Sequence, residues 1–312
     1  MQVYRDISEV SFDKKAVVTI GTFDGVHIGH QKIITHLVEE ARLEGLNAIV
    51  MTFWPHPRQV LRPYDPPVQL LFSLEEKIEA LAALGVHHLI IVPFTLAFAS
   101  TSASFFVETV LVNTLKCARL VIGYDHHFGK NREGNIQFLY QIAPAMGFKV
   151  NEIPPQDIDD IAVSSTKIRQ ALLGGQIRLA NSFIGRPYVL DAKVVKGRQI
   201  GRTIAFPTAN LELTEPLKLI PAKGVYAVEV AIGSARHKGM MNIGLRPTVG
   251  GEELQLEVHL FDFNHDIYGE VLRVFVHERI RDEQKFSDLG ALKNQLIQDQ
   301  KTIISYFESG KP

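Results

Sequence analysis

Five short apolar runs, separated by stretches of helical period, constrain this chain more than any other feature. Residues 16–20, 47–53, 88–93, 118–123 and 148–152 read as strands, and 30–44, 74–84, 103–115 and 134–146 read as helices. Leu89-Ile90-Ile91-Val92 and Leu120-Val121-Ile122 are apolar at every position. A strand apolar on both faces must be covered on both faces, which predicts an α/β domain with a doubly wound parallel sheet. Ligands of such sheets bind at the carboxyl ends of the strands. Gly21–His30, Thr52–Arg58 and Gly123–Gly129 each leave a strand at that end, so all three are expected on one rim.

The pattern changes near Gly185-Arg186-Pro187. Beyond it, Val189–Val195, Gly224–Ile232, Lys238–Ile243, Leu254–Phe263 and Val271–Ile280 read as strands with no helices between them. Closely spaced strands of this kind predict a small antiparallel β-barrel. A terminal helix is expected over 287–308, with Leu289, Leu292, Leu296, Ile303 and Phe307 on one face. Two short helical stretches, parted by Gly174-Gly175, precede the change, and the domains are expected at 1–183 and 184–312.

The run Gly21-Thr-Phe-Asp-Gly-Val-His-Ile-Gly-His30 joins the first strand to the first helix. A glycine-rich strand-to-helix turn suits phosphate, because the backbone can approach closely and the first helical N–H groups face the anion. His27 and His30 add imidazole donors that can follow charge onto phosphorus oxygens. Zinc is an alternative for His-x-x-His, but no nearby carboxylate or cysteine set completes four ligands. His56 stands between Pro55 and Pro57, which restrict its backbone. Ser164-Ser165-Thr166-Lys167-Ile168-Arg169 sets hydroxyls at a helix start with cations beside and beyond them, which suits a triphosphate as well as plain N-capping. Gly123 to Gly129-Lys130 is not a P-loop, since its spacing is wrong and no Ser or Thr follows. No Gly-x-Gly-x-x-Gly occurs, so a dinucleotide-binding oxidoreductase is unsupported.

In the second half, Thr208 and Asn210 of Pro207-Thr-Ala-Asn210 share a face if extended, and their oxygens suit Mg²⁺; the same residues also form turns. Glu257 interrupts an apolar strand. A glutamate on the inner face of a barrel is costly without a partner or a role.

Basic and acidic residues nearly balance, 33 against 34, which counts against a general nucleic-acid or anionic-membrane binder. One cysteine, Cys117, excludes an intrachain disulfide and fits a reducing, cytoplasmic setting. The first residues carry no signal-peptide core, and the uncharged run Ala80–Phe106 is broken by Gly85, His87-His88 and Pro93, so no membrane span is expected.

The decapeptide at 21–30 resembles the His-Ile-Gly-His signature of the nucleotidylyltransferase superfamily, in the form found in bacterial bifunctional riboflavin kinase/FAD synthetases. Pro207–Asn210 resembles the riboflavin kinase signature, and Gly224-Val225-Tyr226, Asn242–Gly251, Glu257–Phe261 and Arg281–Phe286 match as well. The resemblance implies riboflavin phosphorylation to FMN, then adenylylation to FAD, with ATP as co-substrate, Mg²⁺ as cofactor and small molecules as partners. It implies catalytic roles for His27 and His30, and for Glu257 as general base. Gly21, Phe23, Asp24, Gly29, His56, Ser164, Thr166, Arg169, Gly201 and Arg202 would bind nucleotide. Asp125, Phe128, Asn242, Arg246 and Thr248 would bind flavin, and Thr208 and Asn210 the metal. His126-His127, Lys167, Gly197-Arg198 and Ala205 depart from the family pattern; glycine is usual at the last. The alternative is that one activity survives and the other domain only binds flavin or regulates.

Overall fold

The apolar runs of the first half do form one parallel sheet. The computed structural model describes residues 1–123, 126–153, 163–197, 204–248 and 251–310. Its strands are β1 (Gln2–Tyr4), β2 (Ala16–Ile20), β3 (Asn47–Trp54), β4 (His88–Pro93), β5 (Cys117–Gly123) and β6 (Lys149–Ile153), in the order β1-β4-β3-β2-β5-β6. Every pairing is parallel. Strand β2 is buried at all five positions. Side chains such as Val18, Met51, Ile90 and Leu120 fill the core on one face, and Val17, Ala48 and Val121 that on the other.

The helices include α1 (Ile28–Glu44), α2 (Pro57–Leu61), α3 (Leu74–Ala83), α4 (Leu96–Ala99), α5 (Ala103–Phe105) and α6 (Ile136–Met146). The stretch expected as one α-helix over 103–115 starts as α5 and widens into a π-helix at Phe106–Thr114. Its last turn closes from Leu115 N to Val110 O, five residues back. Apolar spacing is similar in the two windings, so periodicity could not separate them.

The second half closes into a barrel, β10-β11-β8-β7-β12-β9. Its strands are β7 (Tyr188–Val195), β8 (Ala209–Leu213), β9 (Gly224–Ile232), β10 (Ala235–Thr248), β11 (Gly251–Leu260) and β12 (Val271–Arg281). Strand β8 escaped the sequence reading, because it is short and follows turn-forming residues. The terminal helix α9 (Leu289–Glu308) buries Ile303 against Phe206, Val225, Ala227, Met240 and Phe261. Arg281 at the end of β12 grips Asp299 of α9 through two parallel hydrogen bonds, Nε–Oδ1 2.9 Å and Nη2–Oδ2 2.8 Å.

Contacts divide the chain into Met1–Ser165 and Thr166–Pro312. Helices α7 (Ser165–Leu173) and α8 (Ile177–Ile184) lie at or beyond this division. Asn181 of α8 donates to Val276 O at 2.9 Å and accepts from Tyr188 N at 2.8 Å, and Leu172 O accepts from Ala222 N. The short helices therefore pack on the barrel.

Candidate active sites

In the first unit, β2 ends in a tight turn that delivers both histidines to the start of α1. Phe23 and Val26 have φ of 44° and 33°. These left-handed conformations cost about 1–3 kcal/mol each and persist only where surrounding contacts over-determine them. Asp24 supplies such contacts: its buried carboxylate accepts from Leu71 N at 3.1 Å and Phe72 N at 3.2 Å. Its carbonyl accepts from Ser165 Oγ at 2.9 Å. Two glycines of the motif are there for close approach. A Cβ at Gly21 would sit 3.0 Å from the Phe23 ring, and one at Gly29 would sit 3.3 Å from His27 Nδ1.

His27 caps α1, its Nδ1 accepting from His30 N at 3.3 Å, which leaves its proton on Nε2. The two imidazoles stack at 3.6 Å, and the Phe23 ring meets His30 edge-on at 5.2 Å. Burial pushes His27 down to about 4 against the pull of Asp24. Burial, then the charges of His27 and Lys77, push His30 well below the usual imidazole range. Both rings are therefore neutral at pH 7 and act as hydrogen-bond donors rather than as cations. His30 Nδ1 is buried with no hydrogen-bond partner among the described residues.

His56 caps α2, accepting from Arg58 N at 3.1 Å, with Pro57 at the first helical position. Val163 reaches Gly29, lying 3.4 Å from where a Cβ would stand, so the 163–165 segment closes on the turn. Thr166 and Arg169 lie one turn apart on α7. Phe128 belongs to a row of rings that the sequence reading missed. Phe53 meets Phe94 at 5.5 Å and Phe98 at 5.7 Å, Phe98 meets Phe106 at 6.2 Å, and Phe106 meets Phe128 at 5.5 Å. Phe53 lies in the last two residues of β3 and Phe94 directly follows β4, at the carboxyl ends expected to form the rim.

In the barrel unit the register builds a polar row across three strands. Asn210 of β8 is paired with Glu257 of β11, and Glu257 with Asn242 of β10. Directly paired residues point to the same face. Gln255, which no sequence signal marked, donates from Nε2 to Glu257 Oε1 at 3.0 Å and also to Asn210 Oδ1. This row corrects the expectation for Glu257. Buried Leu256 and Val258 pair with Leu211, Ile243 and Met241 and face inward, so Glu257 faces out. The strand reads as apolar on both faces because α9 and Phe206 cover part of the outer face with Met240 and Phe261. His259, two residues on, is held in the same layer. Its ring lies 5.1 Å from Phe206, and its Nδ1 donates to Pro207 O at 2.7 Å.

Thr208 lines a cavity of about 480 Å³ with Val194, Val258, Leu260 and the 263–268 loop. Thr208 and Asn210 offer hydroxyl and amide oxygens. That donor set fits a Mg²⁺ that takes its other ligands from phosphates and water. Among the described residues no three His, Cys, Asp or Glu side chains are placed to share a metal ion. Asp125, Gly201 and Arg202 lie outside the described residues, as do the side chains of Arg246 and Thr248.

Ala205 has φ +66°. A methyl group there costs about 1–2 kcal/mol in a conformation open to glycine. Ala205→Gly is expected to stabilise the barrel unit by roughly 0.5–1 kcal/mol, after the added unfolded-state freedom of glycine is deducted. The check is the denaturant midpoint; a fall in it would show that the left-handed turn is not strained.

Known families and relatives match both halves of the chain. The FAD synthetase family model matches residues 9–167, and the riboflavin kinase model matches 184–307. A bifunctional riboflavin kinase/FMN adenylyltransferase of Escherichia coli (strain K12) is 39% identical, with 100% of both chains covered. One of Bacillus subtilis (strain 168) is 37% identical over 95% of this chain and 93% of that one. A crystal structure from Streptococcus pneumoniae, described as a macrolide-efflux protein, is 34% identical and superposes with a TM-score of 0.88 over 96% of this chain and 97% of that one. Among the described residues of the present chain, no helix is long and apolar enough to cross a membrane. With both halves matched in order and full-length relatives on hand, the chain belongs to the bifunctional riboflavin kinase/FMN adenylyltransferase family.

Proposed function

We propose that the first unit carries adenylyl transfer on the Gly21–His30 turn and the barrel carries phosphorylation on the Asn210–Glu257–Asn242 row. The functional join is proposed at 183/184, and Ser164 serves the phosphates of the first site. In adenylyl transfer, an FMN phosphate oxygen attacks the α-phosphorus of ATP in line, and pyrophosphate leaves. The nucleophile is already anionic, so the protein's task is alignment and charge stabilisation. The stacked pair His27–His30 is the observation that carries this reading. Neutral imidazoles and the first N–H groups of α1 donate to the phosphates. Gly21, Phe23 and Gly29 shape the floor; Asp24 and His56 act by holding backbone. The ring row ending at Phe128, with Asp125, takes the flavin.

In the barrel, Glu257 takes the proton from the 5′-hydroxyl of riboflavin as that oxygen attacks the γ-phosphorus of ATP. Thr208 and Asn210 hold Mg²⁺, which neutralises phosphate charge when bound. The cavity beside Thr208 receives nucleotide with Gly201 and Arg202, and Asn242, Arg246 and Thr248 face flavin. The lone thiol, Cys117, is buried and pushed up to about 12 by desolvation. It is an inert core group, in keeping with a reducing cytoplasmic setting.

Incubation with riboflavin, ATP and Mg²⁺, followed by chromatography, is expected to yield both FMN and FAD. FMN alone, or FAD only from supplied FMN, would favour the reading in which one activity survives. The strained Ala205 turn motivates that second reading. Neither product would overturn both.

A further inference from the structure

A lysine sits where the core stripe of α3 calls for an apolar residue. Leu74, Lys77 and Leu81 follow helical spacing, and all three are buried, Lys77 with 3% of its surface exposed. An ammonium so placed must be paired and hydrogen-bonded, because burying a bare charge is prohibitively costly. Lys77 Nζ donates to Thr22 O at 2.8 Å and to Thr52 Oγ1 at 3.4 Å. Thr52 Oγ1 donates in turn to the same Thr22 carbonyl at 3.2 Å. The ammonium also stands 5.6 Å from the centre of the Trp54 ring.

These contacts converge on one carbonyl of the strained turn, that of Thr22. Asp24, on the same turn, reaches the other way and caps Leu71 and Phe72, just before α3 begins. The turn and the 71–77 segment thus clasp one another from both sides. Phe23, with positive φ, lies between the two holds, and Val26, also with positive φ, follows two residues after Asp24. We propose that Lys77 is a positioning residue for adenylyl transfer: its buried ammonium holds the Thr22 carbonyl and so keeps the turn in the shape that presents His27 and His30. This rests on the assignment of adenylyl transfer to that turn.

The role requires the charge. The charged or titratable groups acting on Lys77 are Asp24 from the turn and His30 from α1, while β3 offers only the Thr52 hydroxyl and the Trp54 ring. Burial lowers the lysine from 10.5 to about 8 against the pull of Asp24. Above about pH 8 the folded chain therefore loses the ammonium, and with it the stronger grip on Thr22 O. Folding stability moves the opposite way. The unfolded chain binds more protons than the folded one between the two pKa values, so this group's contribution to stability rises with pH there. A merely structural lysine would not make activity fall while stability rises.

The test uses the full chain and follows FAD formation from FMN between pH 6.5 and 9.5, with riboflavin phosphorylation as an internal control. The variants are Lys77→Met, Lys77→Arg and, as a site control, His30→Ala. Lys77→Met is expected to lower kcat for FAD formation by about 50-fold, the scale of a misplaced reacting group, and to leave FMN formation near wild type. Wild-type FAD formation should fall above about pH 8, and Lys77→Arg should retain activity while losing that alkaline limb, because guanidinium does not titrate there. A Lys77→Met rate equal to wild type, or an unchanged limb in Lys77→Arg, would overturn the inference. If circular dichroism shows that neither variant folds, the wild-type profile decides: a decline above pH 8 without loss of thermal stability supports the role, and a flat profile overturns it. Retention of FAD formation by His30→Ala would instead sink the assignment of the turn itself.

Discussion

Glu257→Gln is expected to slow riboflavin phosphorylation by about 10²–10⁴-fold, the usual contribution of a positioned general base. The amide keeps the shape of the side chain and can still accept from Gln255 Nε2, which bonds Glu257 Oε1 at 3.0 Å. Only the ability to take a proton is lost, so folding should be preserved. FAD formation from supplied FMN should stay within about twofold of wild type, since residues of separate units act independently unless they share partners. Steady-state rates with riboflavin or FMN as the sole flavin check both statements. An unchanged phosphorylation rate would remove Glu257 as the base. Loss of both activities in a folded protein would end the proposed division of labour.

His30→Ala is expected to do the reverse, cutting FAD formation by about 10²–10³-fold, as loss of one preorganised transition-state donor does. The ring is neutral, so the loss is of a directed N–H and not of a charge, and ionic strength should change the effect little. The substitution also removes the stacking partner of His27, 3.6 Å away, so part of the loss will come from His27 drifting. Comparing kcat with KM for ATP separates these contributions. Loss of transition-state donation lowers kcat, whereas loosened ground-state binding raises KM. FMN formation should be spared. Equal loss of both activities, with the protein still folded, would show that the turn serves the barrel too.

Much of this was legible along the chain, and most of the exceptions share one cause. Runs such as Leu89–Val92 announce a doubly covered sheet, because a side chain apolar on each face needs an apolar layer on each side. The Gly21–His30 turn was legible for the same local reason: strand, glycines and helix start are contiguous. Apart from the π winding of 106–114, which shares its apolar spacing with an α-helix, the missed features depend on residues distant in sequence. Strand β8 exists because Leu211 and Asn210 find partners on β11. Glu257 faces outward because its parity is set by that pairing, and the covered outer face had erased the alternation that would have told inside from outside. Lys77 left a faint trace, a charge on an apolar stripe, but nothing local says that Thr22 waits opposite it.

The amino-acid sequence by itself determined the two kinds of domain, the glycine-rich strand-to-helix turn and the residue types proposed for both sites. Those follow from period, glycine placement and side-chain chemistry, all read within a few residues. Only the tertiary structure decided which groups meet: the stacked imidazoles, the Asn210–Glu257–Asn242 row, the aromatic row at the sheet's carboxyl edge and the clasp from Lys77 to Thr22. Strand register and helix docking are chosen by the burial of whole faces at once, and no local window of sequence contains both sides of that choice.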